Sequence, residues 1–157
     1  MLFSTKAEYG VRLMVELGRQ PGSQPVSLGS VAEAENLPLS YLEHLVAKLR
    51  KAGLVTSTRG AHGGYRLAKP AAEIRMDSVV EALEGQIAPM ECFHDAPEGK
   101  VLCSHEADGD SACSTKLLWM RVQGGVSKAL AGTTLSELVE FSTKSEPTRE
   151  AVLDSVA

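Results

Sequence analysis

Between Gly53 and Ala68 the apolar pattern of the chain changes period, and this change limits the possible folds more than any other feature. Up to Gly53, Leu42, Leu45, Val46 and Leu49 recur at intervals of three and four, the stripe of a helix with one buried face. Beyond it, Leu54 to Thr58 and Tyr65 to Ala68 are short strand-like runs on either side of Arg59-Gly60-Ala61-His62-Gly63-Gly64, a glycine-rich hairpin tip. A two-stranded hairpin cannot bury enough surface to stand alone, so this one must borrow its core from helices.

Helices are predicted on both sides. Thr5 to Arg19 reads as a first helix with Thr5 as N-cap, Glu8 reaching back to it, and Ala7, Val11, Met14 and Val15 on one face. Gly18, Pro21, Gly22 and Pro25 break it. Ser27 caps a short second helix carrying Leu28, Val31 and Ala32, Glu35-Asn36-Leu37 makes a tight turn, and Pro38 opens a third helix that runs to about Ala52. Further on, Asp77 is expected to cap a helix from Ser78 to Glu84, and Thr134-Leu135-Ser136-Glu137 forms a capping box. A longer helix is predicted from Ser114 to Leu130, where Gly124-Gly125 implies a bend or a close helix contact. The polar tail from Ser142 is expected to fray.

The chain has 157 residues, enough for one domain and too few for a large multi-domain enzyme. No apolar run is long enough to cross a bilayer and Met1 to Gln20 lacks the apolar block of a secretion signal, so a cytoplasmic protein without membrane partners is expected. No nucleophile, base and orienting residue form a recognisable catalytic set, which argues against an enzyme. Net charge is -4, but it is unevenly spread. From His44 to Arg75 the charges are Lys48, Arg50, Lys51, Arg59, Arg66, Lys69 and Arg75 against Glu73 alone, whereas Met76 to Ala112 is strongly acidic. The basic section suits phosphate and the acidic one does not.

Two helices joined by a tight turn and followed by a hairpin are the element order of a winged helix-turn-helix, whose second helix enters the major groove of DNA. Ser40, Tyr41, Glu43 and His44 occupy the first turns of that helix, and Glu43 can accept from a cytosine amino group or simply be a solvated carboxylate. Arg59 at the hairpin tip is placed to enter a minor groove, while Gly60, Gly63 and Gly64 allow close backbone approach. His62 and Arg66 beside the tip, with Lys48, Arg50 and Lys51 on the helix, are candidate phosphate contacts or ordinary solubilising charges. Tyr65 fits core packing better than base stacking.

The cysteines are Cys92, Cys103 and Cys113, an odd number that argues against a disulfide framework in a cytoplasmic chain. Thiolates suit iron, and an iron–sulfur cluster on three of them leaves a vacancy for His94, His105, Glu91, Glu106, a second chain or a small molecule. Their spacing lacks the close pairs of structural zinc, and a metal-free thiol switch is the competing chemistry.

Leu2 to Tyr9 (LFSTKAEY), Leu39 to Val55 (LSYLEHLVAKLRKAGLV), Arg59 to Tyr65 (RGAHGGY), Cys113 to Trp119 (CSTKLLW) and Thr134 to Leu138 (TLSEL) together resemble the Rrf2 family of bacterial transcription regulators. The resemblance implies a mainly α fold with a small β wing: a winged helix-turn-helix domain at 1–85, a cysteine-bearing cluster segment at 86–113, a dimerisation helix and terminal helix at 114–141, and a flexible tail at 142–157. It implies a homodimer on a palindromic double-stranded operator, with a [2Fe–2S] or [4Fe–4S] cluster on Cys92, Cys103 and Cys113 near the subunit boundary. It also makes Glu43 a base reader and Arg59 a minor-groove arginine.

The fourth ligand departs from the family pattern. Lys116 stands where the family's biogenesis regulator has a histidine, and Arg12 stands where a related redox regulator has another. Glu8 matches the carboxylate that other members supply from the partner chain, and this role competes with capping at Thr5. The family's cysteines lie closer together than these three. The expected function is cluster-dependent transcription regulation that senses redox state, nitric oxide or iron–sulfur status. A thiol-based DNA-binding regulator, an iron–sulfur electron-transfer protein and a non-DNA interaction module are the alternatives.

Overall fold

The fold is built around the apolar stripe of the third helix, whose Leu42, Leu45, Val46 and Leu49 are all buried. The computed structural model describes residues 3–20, 24–60, 62–87 and 114–144. The elements are α1 (Thr5–Arg19), α2 (Leu28–Glu35), α3 (Leu39–Lys51), β1 (Val55–Thr58), β2 (Gly64–Leu67), a 3-10 turn (Ala71–Glu73), α4 (Met76–Glu84), α5 (Ser114–Gly132) and α6 (Leu135–Thr143). The mainly helical expectation with a small antiparallel wing therefore holds.

Leu13, Met14 and Leu17 of α1, Val31 of α2, Val79 and Leu83 of α4 and Leu135 of α6 join the α3 stripe in one cluster. Each fully buried aliphatic side chain contributes roughly 1.5–3 kcal/mol relative to exposure, so this cluster dominates the stability of the helices and wing that share it. The hairpin pairs Val55 with Leu67 and Thr58 with Gly64, and Val26 bonds Tyr65 through both its N–H and its carbonyl at 2.8 Å. That extra bridge, together with Tyr65 and Leu67 packed on the cluster, supplies the support a lone hairpin lacks.

Helix ends follow the capping rules, with two shifts from expectation. Ser4, not Thr5, caps α1 and accepts from the Lys6 N–H, so Glu8 lies past the capping-box position. Glu84 of α4 takes over that carboxylate role from 80 residues away: its Oε1 accepts from Ser4 N at 2.9 Å, Ser4 Oγ at 2.6 Å and Ala7 N at 3.3 Å. Asp77 falls inside the first turn of α4, whose N-cap is Arg75, and pairs with that arginine while accepting from the Ser78 N–H. Ser27 caps α2 as predicted, Asn36 turns the chain at φ 51°, and Thr134 with Glu137 makes the expected capping box.

α5 runs unbroken through Gly124 and Gly125, and among the described residues no further atom lies within 4 Å of where a side chain at either would begin. Among the described residues no close helix contact accounts for the pair. Ser142, expected in a frayed tail, is still within α6 and holds Arg19 through its Oγ at 3.1 Å. Cys92, Cys103 and Cys113, with His94, His105, Glu91 and Glu106, lie outside the described residues, as does the tail beyond 144.

Two tests address the α1 to α4 contact. A Cβ at Gly10 would stand 2.2 Å from Leu83 Cδ1, so Gly10→Ala should destabilise the protein by about 1–3 kcal/mol in denaturant unfolding despite the helix propensity of alanine. Burial pushes the Glu84 pKa up, but the bonds from Ser4 and Ala7 and the charge of Lys6 outweigh it and hold it below its ordinary value of 4.5. The stabilisation by the carboxylate is thus complete above pH 4.5 and lost as pH falls through the lowered value. Glu84→Gln should cost about 1–2 kcal/mol at neutral pH, with the gap to the wild type narrowing in acid unfolding series.

Candidate nucleic-acid interface

The face of α3 opposite its buried stripe carries Ser40, Glu43, His44, Ala47 and Lys51, all exposed. Spacings of three, four and seven residues put them on one strip of a 3.6-residue helix. The apolar face fixes this orientation, because turning the strip inward would expose Leu42, Leu45, Val46 and Leu49. Among the described residues, Glu43, His44 and Lys51 make no side-chain hydrogen bond or ion pair, so their polar groups remain open to a ligand. The N-terminus of α3 has no side-chain cap at Pro38.

Tyr41 faces the other way. Its ring meets that of Tyr9 edge-on at 5.7 Å, and its hydroxyl lies 3.5 Å from Thr5 Oγ1, so it anchors α3 to α1. Lys48, two turns further along the same side, donates from Nζ to the Leu83 carbonyl at 2.8 Å. Arg50 Nη1 lies 3.4 Å from Ser57 Oγ, a bond between α3 and β1. On α3 the sequence-predicted set thus divides into an open strip and three side chains, Tyr41, Lys48 and Arg50, engaged within the protein.

At the wing, Arg59 and His62 are exposed and unbonded among the described residues, while Arg66 Nε donates across the hairpin to Thr56 Oγ1 at 3.3 Å. The three glycines have different physical reasons. Gly60 has φ 120° with open space around it, a backbone only glycine adopts readily. A Cβ at Gly63 would lie 2.4 Å from the Thr58 carbonyl oxygen, and one at Gly64 2.4 Å from that of Val26. Close packing within the protein therefore already requires Gly63 and Gly64.

The sequence reading missed a clasp behind the reading helices. Arg12 Nε donates to Glu35 Oε2 at 2.8 Å, its Nη2 reaches the Glu35 carbonyl, and its guanidinium sits 5.9 Å from the Tyr9 ring centre. Glu35 is the last residue of α2, so the clasp ties α1 to the turn between α2 and α3. The two residues are 23 positions apart, and no local pattern signals the pairing.

Glu8 is exposed on α1 and makes no hydrogen bond or ion pair among the described residues, so capping does not compete for its carboxylate. The described residues hold no group of three or more potential metal ligands, and all three cysteines lie outside them. α5 leaves Leu117, Leu118 and Met120 more than half exposed, an apolar surface that no other described residue covers. No helix among the described residues is long and apolar enough to cross a membrane.

Comparison with known proteins agrees with this arrangement. Residues 3–141 match the Rrf2 family model, described as an iron-dependent transcriptional regulator. The chain is 38% identical to the HTH-type transcriptional regulator CymR of Bacillus subtilis over 90% of this chain and 91% of that one. It is 35% identical to the HTH-type transcriptional regulator IscR of Vibrio atlanticus over 89% of this chain and 76% of that one. The solved structure of CymR, the global cysteine regulator of B. subtilis, superposes with a TM-score of 0.73 over 90% of this chain and 98% of that one. That of T. potens IscR, 33% identical, superposes at 0.71 over 94% of both chains. Matched over nearly all its length by sequence and by fold, the chain belongs to the Rrf2 family of transcriptional regulators.

Proposed function

We propose that this regulator acts as a homodimer on a palindromic operator and that the state of Cys92, Cys103 and Cys113 sets its affinity. The observation that carries the DNA contact is the open strip of α3 beside the unbonded Arg59 and His62 at the wing tip. In this reading Ser40, Glu43 and His44 face base edges, Arg59 enters the adjacent minor groove, and Arg50, Lys51, His62 and Arg66 line the phosphates. Gly60 lets the wing tip approach the backbone. The exposed leucines and Met120 of α5 favour a second copy as their cover, which would place two reading heads on one duplex.

The three thiolates suit an iron–sulfur cluster, and Glu8 of the partner subunit would complete its ligand set. Such a cluster would supply a centre sensitive to oxidation, nitric oxide and iron supply. The freedom of the Glu8 carboxylate and the iron-dependent description of the family support this chemistry. A metal-free switch of the same three thiols is the second reading, favoured by the likeness to a protein described as a global cysteine regulator. Both make a difference of roughly 1–3 kcal/mol between two states sufficient for a five- to 150-fold change in binding. Neither requires the chain to catalyse a reaction.

Anaerobic purification followed by iron and sulfide analysis separates the two chemistries: the cluster reading expects both elements with visible absorption, and a colourless reduced protein supports the thiol reading. Glu8→Gln should then shift the absorption spectrum or shorten the cluster lifetime while the dimer persists. Equal operator affinities for reduced, oxidised and metal-depleted protein at one salt concentration would reject both.

Base reading has its own test. Glu43→Gln should raise binding to random duplex and relax selectivity at one base pair per half-site by about 1–3 kcal/mol, measured by competition among single-base operator variants.

A further inference from the structure

We propose that Lys48 is a positioning residue that fixes the tilt of the DNA-reading helix, and that it is not one of the phosphate contacts. The inference rests on the reading of α3 as the helix that meets base edges. Lys48 follows Tyr41 by seven residues, so both project from nearly the same side of α3. Tyr41 packs on Tyr9, which puts Lys48 on the edge of α3 that borders α1 and α4, beside His44 and Lys51 of the open strip; Lys48 is exposed, but its side chain reaches across to α4. Its ammonium is already engaged, with Nζ 2.8 Å from the Leu83 carbonyl oxygen.

That acceptor is a favourable one for a cation. Leu83 lies in the last turn of α4, where helix carbonyls lack intrahelical partners and the helix dipole is negative. The last turn of α4 has no basic residue of its own, and the Gly85 N–H that closes the helix goes to the Glu81 carbonyl, not to that of Leu83. Lys48 thus supplies from another helix the positive charge that α4 lacks.

The bond also sits where angle matters. Glu84, the next residue, holds the first turn of α1, and the Leu83 side chain fills the notch at Gly10. The carbonyl that receives Lys48 therefore belongs to a backbone segment pinned to α1. A reading helix tied to it is held against a fixed reference, whereas Lys51, unbonded among the described residues, remains to meet phosphate.

The two roles predict different salt behaviour. A duplex selected by the wild-type protein from a random-sequence pool, and a scrambled duplex of equal length, would be titrated over a salt series with wild type, Lys48→Met and Lys48→Arg. For a positioning residue, Lys48→Met should bind the selected duplex about five- to tenfold more weakly, with the salt slope and scrambled-duplex affinity unchanged. Lys48→Arg, which keeps a charged donor, should restore selective binding to within about twofold.

A fall in salt slope of about one per protomer, with parallel loss on both duplexes, would make Lys48 a phosphate contact and overturn the proposal. So would unchanged binding by Lys48→Met, or a lowered Tm with an unchanged ratio of selected to scrambled affinity. Should the wild type select no duplex at all, the DNA-reading role of α3 fails first and the proposal with it, an outcome visible before any variant is made.

Discussion

Two consecutive residues at the end of α4 hold the reading head together. Leu83 fills the notch at Gly10 with its side chain and receives Lys48 on its carbonyl, while the Glu84 carboxylate closes the open amides of α1. α1, α3 and α4 are thereby locked at one point by packing, a charge-assisted bond and a helix cap at once. Each alone is worth only about 1–3 kcal/mol, but all three constrain the same backbone.

Rigidity at that point matters because a helix reads bases through geometry. The core stripe of α3 fixes which face is outward, and the Tyr9 to Tyr41 contact and the Arg12 to Glu35 clasp fix α3 and the end of α2 against α1. The wing shares the same core through Tyr65 and Leu67 and gains a further pair of bonds at Val26. Strip and wing tip thus belong to one packed unit. An acidic chain can still serve this purpose, since phosphate senses the local charges of the His44 to Arg75 section and not the net charge of -4.

Family membership brings a fold and a class of activity, whereas the chemistry sensed belongs to particular side chains. CymR and IscR superpose on this chain almost equally well, at TM-scores of 0.73 and 0.71. Shape alone therefore does not choose between thiol and cluster chemistry. Arg12 has a structural use here, as the clasp on Glu35.

The sequence by itself determined the elements that depend on local patterning. The stripe on α3, the Ser27 cap, the turn at Asn36, the hairpin around its glycines and the Thr134 box were legible because each arises between residues a few positions apart. Only the tertiary structure decided what depends on distant partners. Ser4 rather than Thr5 caps α1 because Glu84 arrives from 80 residues away, and Tyr41 and Lys48 are engaged because α1 and α4 lie against that flank. Gly63 and Gly64 read as room for DNA until the carbonyls of Thr58 and Val26 were seen to fill the space. A one-dimensional pattern records which residues share a face, but whether a polar side chain on that face is free or engaged depends on what packs there, and that is settled only when the helices meet.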